Sequence, residues 1–463
     1  MTGEPLRLDP EQPVHLVGIG GAGMSALASI LLQRGHTVTG SDLRGGRAAA
    51  ALVAMGARVE IGHDADHLGE PGLVAVSTAV PDSNPEVVAA RERGIPVVHR
   101  ARLLAALMAG RRALLVAGTH GKTTTTSMVT VALQQAGADP SFAIGGMIHE
   151  TGTSAHHGAG EVFVAEADES DRTLLEFRPD CAIVTNVELD HHDVYADLDD
   201  VLATFARFLS QRTPDAPAIV CADDQGARRL LQEVDGPVVT YGQTPDAVVQ
   251  LTAVTLDADA SRCVLRRDGA PIAELAVRVP GVHNLLNATA AFIAATWAGA
   301  PVDDVVAGLA SFRGAQRRFE RLGTAGGVTV VDDYAHHPTE IAATLSAARQ
   351  SALGGRLVAV FQPHRYSRTA ALADELGRAL AGADVVVVTD VYAAGEMPEP
   401  GVTGQLVADA AGTAGARVHY VPAVSDVPAV VADLATDGDL VLTLGAGDIT
   451  QVGPLVIQAL RPR

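Results

Sequence analysis

A chain of 463 residues exceeds what one hydrophobic core ordinarily supports, so two to four domains are expected, and 48% hydrophobic residues suffice to fill them. The formal net charge of −20 excludes an extended nucleic-acid surface, because phosphate backbones demand clustered Lys and Arg. Cys181, Cys221 and Cys263 are odd in number and about forty residues apart, which suits neither a disulfide framework nor a zinc site.

In chain order, the opening MTGEPLRLDPEQ lacks the apolar stretch of a secretory signal. No later run approaches the length of a membrane span, so a cytoplasmic protein without membrane contact is expected. A first segment then alternates strand-like and helix-like runs: VHLVGIG (14–20), HTVTGSD (36–42), LVAVST (73–78) and IPVVH (95–99). Its first strand runs into G-x-G-x-x-G at Gly18, Gly20 and Gly23, and Asp42 closes the next strand. Such glycines let backbone N–H groups approach a diphosphate at a helix N-terminus, and the acid can accept from a ribose hydroxyl. The pattern predicts a nucleotide carrying a diphosphate; it does not require nicotinamide.

The second segment opens with RALLVAGTHGK (112–122), followed by EVFVAEADESD (161–171), DCAIVTN (180–186), PAIVCADD (217–224) and the helical HNLLNATAAFIAATWAG (283–299). GTHGKTTTT departs from the strict P-loop, since Val116 stands where that pattern has glycine. The loop still offers Gly118 and Gly121 for flexibility, Lys122 for the β/γ-phosphates and Thr123 for Mg²⁺. Lys122 is also the only lysine among 34 basic residues. A compact ammonium can follow a moving phosphoryl group inside a tight loop, where a planar guanidinium is too large.

Downstream, Glu166 ends an apolar strand with Asp168 on the same side, a suitable partner for a phosphate-bound Mg²⁺. NVELDHHD (186–193) offers Asp190, His191, His192 and Asp193, of which at most one histidine can face a site. Asn284 and Asn287 share a helical face at i, i+3 and present the donors and acceptors an adenine edge requires, unless Asn284 only caps its helix. Arg317 and Arg318 stand just before the third segment, placed to oppose a γ-phosphate. That segment runs GVTVVDDY (327–334), GRLVAVFQPH (355–364), DVVVVTD (384–390), ARVHYVP (416–422) and DLVLTLGAGD (439–448). Boundaries are expected near Gly110–Arg112 and in the glycine-rich Leu322–Gly326, dividing the chain into 1–110, 111–322 and 323–463.

The motifs GIGGAGMSALA, GTHGKTTTT, EADESD, NVELDHHD, GVHNLLNA, RRFE, VDDYAHHPTE and FQPHRYSRT, in this order, resemble the Mur ligase family. The resemblance implies an α/β chain of three domains: a Rossmann-like UDP-binding domain, a central P-loop ATPase domain and a C-terminal Rossmann-like domain. It implies the member that joins L-alanine to UDP-N-acetylmuramate, with ATP as co-substrate and one or two Mg²⁺ ions. The UDP-sugar would rest on Gly18, Gly20, Gly21, Gly23, Met24, Ser25 and Asp42. ATP would lie on Gly118, Thr119, His120, Gly121, Lys122, Thr123 and Thr124, with Asn284 and Asn287 at adenine, Asp333 at the ribose and Arg318 at the phosphates. Thr123 and Glu166 would hold one Mg²⁺ and His191 a second, while Tyr334, His336, His364, Arg365 and Arg368 would line the muramoyl and alanine end. Members that act later in the stem peptide use a carbamoylated lysine in the central domain. This chain has no second lysine to modify, which matches the alanine-adding member.

Three other readings compete. A nicotinamide dehydrogenase leaves Lys122, Glu166 and Arg318 without a task; a P-loop switch protein leaves the first glycine loop and HNLLNATAA unexplained. A regulator that holds nucleotide without turnover needs fewer of these residues. Within the family, the rival is the recycling ligase that attaches a tripeptide to the same sugar nucleotide. Monomer and dimer both accommodate the sequence.

Overall fold

The computed structural model describes residues 6–257, 260–352 and 354–461. Three parallel-rich sheets carry the chain, each built from the short Val-, Leu- and Ile-rich runs seen in the sequence. The first has the order Arg58–Ile61, Val38–Asp42, Val14–Val17, Leu73–Val76, Val97–His99, all parallel. In the second, Val238–Gly242, Ala218–Cys221, Cys181–Val184, Arg112–Ala117, Val162–Glu166 and Ser141–Ile148 run parallel. Thr153–His156 closes it antiparallel to Ser141–Ile148. The third pairs Glu320–Ala325 antiparallel with Val328–Asp333, then continues in parallel through Leu440–Leu444, Leu357–Phe361, Val385–Val388 and Arg417–Tyr420.

Parallel sheets covered on both faces need strands that are apolar throughout. In the third sheet Leu357, Ala359 and Phe361 enter one core while Val358 and Val360 enter the other, and all five are fully buried. Several strands end in, or are followed by, a residue that can bend or bind. Gly18 follows Val17, Gly118 follows Ala117, and Asp42, Glu166 and Asp333 are themselves last in their strands. This carboxyl edge is where open α/β sheets hold ligands.

Packing divides the described residues into two compact units. The first is the chain up to Glu188 with Leu198–Val249 and Ala290–Gly308, and it contains the first sheet and the seven strands named above of the second. The second is Leu189–Asp197, Gln250–Thr289 and the chain from Leu309 onward, and it contains the third sheet. The short Leu189–Asp197 stretch leaves the sheet it follows because two of its acids are held by arginines of the second unit, Asp190 by Arg368 and Asp193 by Arg365.

The glycine-rich LGTAGG, where a boundary is expected, is the arm and turn of a hairpin: Glu320–Ala325 turns at Gly326 and Gly327, both with positive φ, onto Val328. Ser141–Ile148 and Thr153–His156 are strands that no apolar alternation announces, because their sequence is rich in Gly, Ser and Thr. They are ordered by what packs on them, the Ala22–Gln33 helix of the same unit, and His157 N donates to Gln33 Oε1 at 2.7 Å. Among the described residues no helix is long and apolar enough to cross a membrane.

Candidate active site

In the first unit the first glycine loop forms as its spacing predicts. Gly18 takes a left-handed φ of 75°, and the helix Ala22–Gln33 starts directly after Gly21 with no side chain capping it. Its leading amides are therefore available to an anion. One expectation is refined: Gly20 N donates to Asp42 Oδ2 at 2.9 Å, and Asp42 Oδ1 accepts from Arg44 N. Asp42 thus shapes the turn itself, and Gly20 N is committed within the protein.

The second loop is more tightly determined. Strand Arg112–Ala117 is buried from Ala113 on, Gly118 has φ 135°, and Gly121, at φ 81°, starts the helix Lys122–Gln135. This helix is buried from Thr123 to Leu133 despite its hydroxyls. Thr126, Ser127 and Thr130 donate their hydroxyls to the carbonyls four residues back, so none of these three needs water. Asn186 pins the loop from the neighbouring strand end: its Oδ1 accepts from His120 N at 2.8 Å and its Nδ2 donates to His120 O. Thr185 Oγ1 donates to the same carbonyl at 2.6 Å. A Cβ on Gly118 would run into Thr185 Oγ1. Gly118→Ala is therefore expected to cost about 1–3 kcal/mol and to weaken ATP binding, measured by calorimetric titration beside a urea melt.

Lys122 Nζ donates to Gly118 O at 2.7 Å, to Thr119 O at 3.2 Å and to Glu169 Oε1 at 2.9 Å. Burial alone would lower its pKa; Glu169 and Asp168 outweigh that and raise it, so the ammonium stays charged. Thr123 Oγ1 lies 3.2 Å from Glu166 Oε2, and Glu166 Oε1 accepts from Gly145 N at 2.6 Å. Asp168 pairs with Arg100 at 2.9 Å. Burial pushes the Asp168 carboxyl up, but Lys122 and then Arg100 hold it down at about 2. Gly23, Leu27, Arg100, Gly145, Glu166 and Asp168 line one open cleft. The helix of the first glycine loop and the carboxylates beside the second therefore face the same cleft.

The second unit gathers another group of expected residues. Arg368, only 7% exposed, meets Asp190 in a bidentate pair at 2.9 and 3.1 Å. His191, at φ 54°, keeps Nε2 3.8 Å from Asp190 Oδ2. Arg365 Nη1 donates to Asp193 at 3.2 Å. The two neighbouring arginines separate in role. Both guanidiniums lie over the Tyr334 ring at 5.0 Å, but Arg317 is tied to Asp332 and to the carbonyls of Gly445 and Ala446, whereas Arg318 is 3.8 Å from Glu340. Asp333 accepts from Phe319 N and Ala335 N, and burial pushes its carboxyl up to about 6 against Arg318 and these amides. AHHPTE works as a helix start: Pro338 leads the helix Pro338–Ser351 and His337 with Glu340 completes a capping box.

His336 stands edge-on to Tyr334 at 5.2 Å, and His364 stacks on Tyr392 at 5.6 Å. Burial lowers the His336 imidazole to about 4 and the His364 imidazole to about 3, where His336 and Arg368 lower it further. Both are neutral near pH 7. Asn284 Nδ2 donates to Pro280 O, and Asn287 Nδ2 donates to Asn284 Oδ1 at 3.4 Å, so the pair does share one face.

The sequence matches family models over most of its length. Residues 13–112 match the model of the Mur ligase family catalytic domain, 116–295 the Mur ligase middle domain, and 317–447 the Mur ligase glutamate ligase domain. The chain belongs to the Mur ligase family. Within this family the UDP-N-acetylmuramate–L-alanine ligase of Acidothermus cellulolyticus is 52% identical, with 99% of this chain and 97% of that protein covered. The Mycolicibacterium smegmatis protein of the same name is 51% identical over 100% of this chain and 97% of its own. Among solved Mur ligases, the UDP-N-acetylmuramate–alanine ligase of Thermotoga maritima is 30% identical with a TM-score of 0.83, covering 97% of this chain and 99% of that one. The murein peptide ligase of Psychrobacter arcticus is 26% identical with a TM-score of 0.73, covering 97% and 98%.

Glu169, Asn186 and Arg100 were not singled out from the sequence. Glu169 lies inside the quoted EADESD and Asn186 opens NVELDHHD, so position within those motifs was the available signal; Arg100 carried none.

Proposed function

We infer that this protein joins L-alanine to the D-lactyl carboxylate of UDP-N-acetylmuramate in an ATP-driven reaction of peptidoglycan precursor synthesis. The observation that supports the reading is the cleft shared by Gly23 and Leu27, from the helix of the first glycine loop, and Glu166, which in turn meets Thr123 beside Lys122. The lactyl carboxylate attacks the γ-phosphorus, the bond to the bridging oxygen breaks, and ADP leaves an acyl phosphate. The alanine amine attacks the acyl carbon, loses a proton and expels inorganic phosphate.

Two anions must approach each other, so the protein's task is positioning and charge. Lys122 exchanges its loop carbonyls for phosphate oxygens, with Arg318 opposing the same charge. The Thr123 hydroxyl and Glu166 carboxylate are adjacent hard oxygen donors, which fits Mg²⁺. Bound there, Mg²⁺ supplies screening of the phosphate charge; His191 is the candidate ligand for a second ion. Asn284, Asn287 and Asp333 are assigned to the adenosine, and Tyr334, His336, His364, Arg365 and Arg368 to the muramoyl and alanine end. The reaction is assigned to the cytoplasm, where ATP is available.

The test is phosphate release by purified protein with ATP, Mg²⁺ and UDP-N-acetylmuramate, compared across L-alanine, glycine, L-serine and a tripeptide. Release that needs neither the sugar nucleotide nor an amino acid would overturn the reading, and a preference for tripeptide would move it to the recycling ligase. A further expectation follows from the lysine count: an amine-reactive reagent should inactivate the enzyme through Lys122, with ATP protecting. Peptide mapping reads this directly, since Lys122 is the only lysine. Full activity with Lys122 fully modified would exclude its role.

A further inference from the structure

The first unit buries an acid that neither loop nor cleft accounts for. Glu86 sits in the helix Pro85–Glu92, whose start Asn84 caps by accepting from Glu86 N and Val87 N. Its side chain is fully buried, as is that of His15. Glu86 Oε2 lies 2.6 Å from His15 Nε2 and accepts from Ser41 Oγ at 2.8 Å, while Oε1 lies 3.0 Å from His63 Nδ1. The outer members close the network, with Ser41 Oγ 2.9 Å from His63 Nδ1 and Thr39 Oγ1 2.9 Å from His15 Nδ1. A buried carboxylate is costly unless paired and hydrogen-bonded, and here its partners come from three different segments. His15 is on strand Val14–Val17, Ser41 on strand Val38–Asp42, and His63 in the turn after Arg58–Ile61.

Ser41 links this network to the first glycine loop. Its hydroxyl is held by Glu86, and its carbonyl accepts from Gly18 N at 2.8 Å and Ile19 N at 3.0 Å. Those amides begin the turn, and the neighbouring Asp42 holds Gly20 N. The loop is therefore suspended from Ser41 and Asp42, and the Ser41 side chain is anchored on Glu86. His63, with 15% of its side chain exposed, and the partly buried Thr39 are at the outer edge of the network.

We propose that Glu86 is a positioning residue for the UDP end of the sugar nucleotide, holding Ser41 and His63 so that the first glycine loop is shaped before the ligand arrives. The identity of the ligand rests on the proposed function; the brace itself does not. Glutamine in place of Glu86 removes the negative charge and leaves one acceptor oxygen where the carboxylate offers two to His15, Ser41 and His63. The test is calorimetric binding of UDP, and separately of ADP with Mg²⁺, to full-length wild type, Glu86→Gln and Ser41→Ala, beside thermal melts.

Glu86→Gln is expected to weaken UDP binding about ten-fold or more, in the range seen when outer-shell partners of a ligand site are lost, with ADP binding unchanged. Ser41→Ala removes only the hydroxyl and keeps the carbonyl, so it tests the same link without touching the buried charge, and a smaller loss confined to UDP is expected. If both variants bind UDP as wild type does, or if UDP and ADP affinity fall together, Glu86 only braces the fold and the proposal fails. Wild-type protein that binds ADP but not UDP would overturn the proposed function, and this proposal with it.

Discussion

Replacing Lys122 with arginine is expected to lower kcat on the order of 10²–10³-fold, the usual cost of one preorganised donor, although the charge is retained. The ammonium sits in a pocket of its own loop, 2.7 Å from Gly118 O and 3.2 Å from Thr119 O, with Glu169 on its other side. A guanidinium is wider, carries its donors in a rigid plane and cannot turn from these acceptors to a phosphate in so small a space. Because Gly118 and Gly121 are held in left-handed conformations and Asn186 pins His120, the loop cannot widen to admit it. Phosphate release with UDP-N-acetylmuramate and L-alanine measures the effect, and an unchanged melting curve shows that the fold survives. Near-normal turnover of Lys122→Arg would mean that only the sign of the charge matters.

Arg368→Met is expected to destabilise the second unit by about 3–5 kcal/mol, because it leaves Asp190 buried without its partner. Asp190 is 6% exposed and Arg368 7%. Burial drives the Asp190 carboxyl up, but Arg368 and then His191 more than reverse this, so the carboxylate is held ionised well below its usual range. The double variant Arg368→Met, Asp190→Leu removes both charges and should recover much of the loss, since an apolar pair of similar volume is commonly as stable as a buried ion pair. Urea unfolding of wild type, Arg368→Met, Asp190→Leu and the double variant measures the coupling, read by a probe in the second unit because two units need not unfold together. Additive losses would show that the pair contributes no coupling. The same experiment tests whether the stretch carrying His191 is held to the second unit by this pair.

Much of the fold was legible before the structure. Strands such as Leu357–Phe361 and Val385–Val388 are apolar at every position, and only a sheet covered on both faces accepts that. The glycine loops were legible because left-handed or crowded backbone at Gly18 and Gly118 restricts the residue type. The strands Ser141–Ile148 and Thr153–His156 were not, since Gly, Ser and Thr carry no alternation and their order comes from the helix packed on them. The hairpin at Leu322–Gly326 was not legible, because a glycine turn and a glycine-rich domain boundary have the same composition.

What the sequence determined by itself was the set of chemical groups: one lysine in a glycine turn, a hydroxyl beside it, and a carboxylate ending a buried strand. These are local facts, since loop geometry and strand ends are set by neighbours in the chain. Tertiary structure alone decided the partners: Glu169 for Lys122, Asn186 for the loop, Arg100 for Asp168, and Glu86 for His15 and Ser41. It also decided that Asp190 meets Arg368, a pair separated by 178 positions. Periodicity tells which face of an element is buried. It cannot tell which distant charge will be waiting there, because that depends on how sheets and helices close around a group that must be paired to be buried at all.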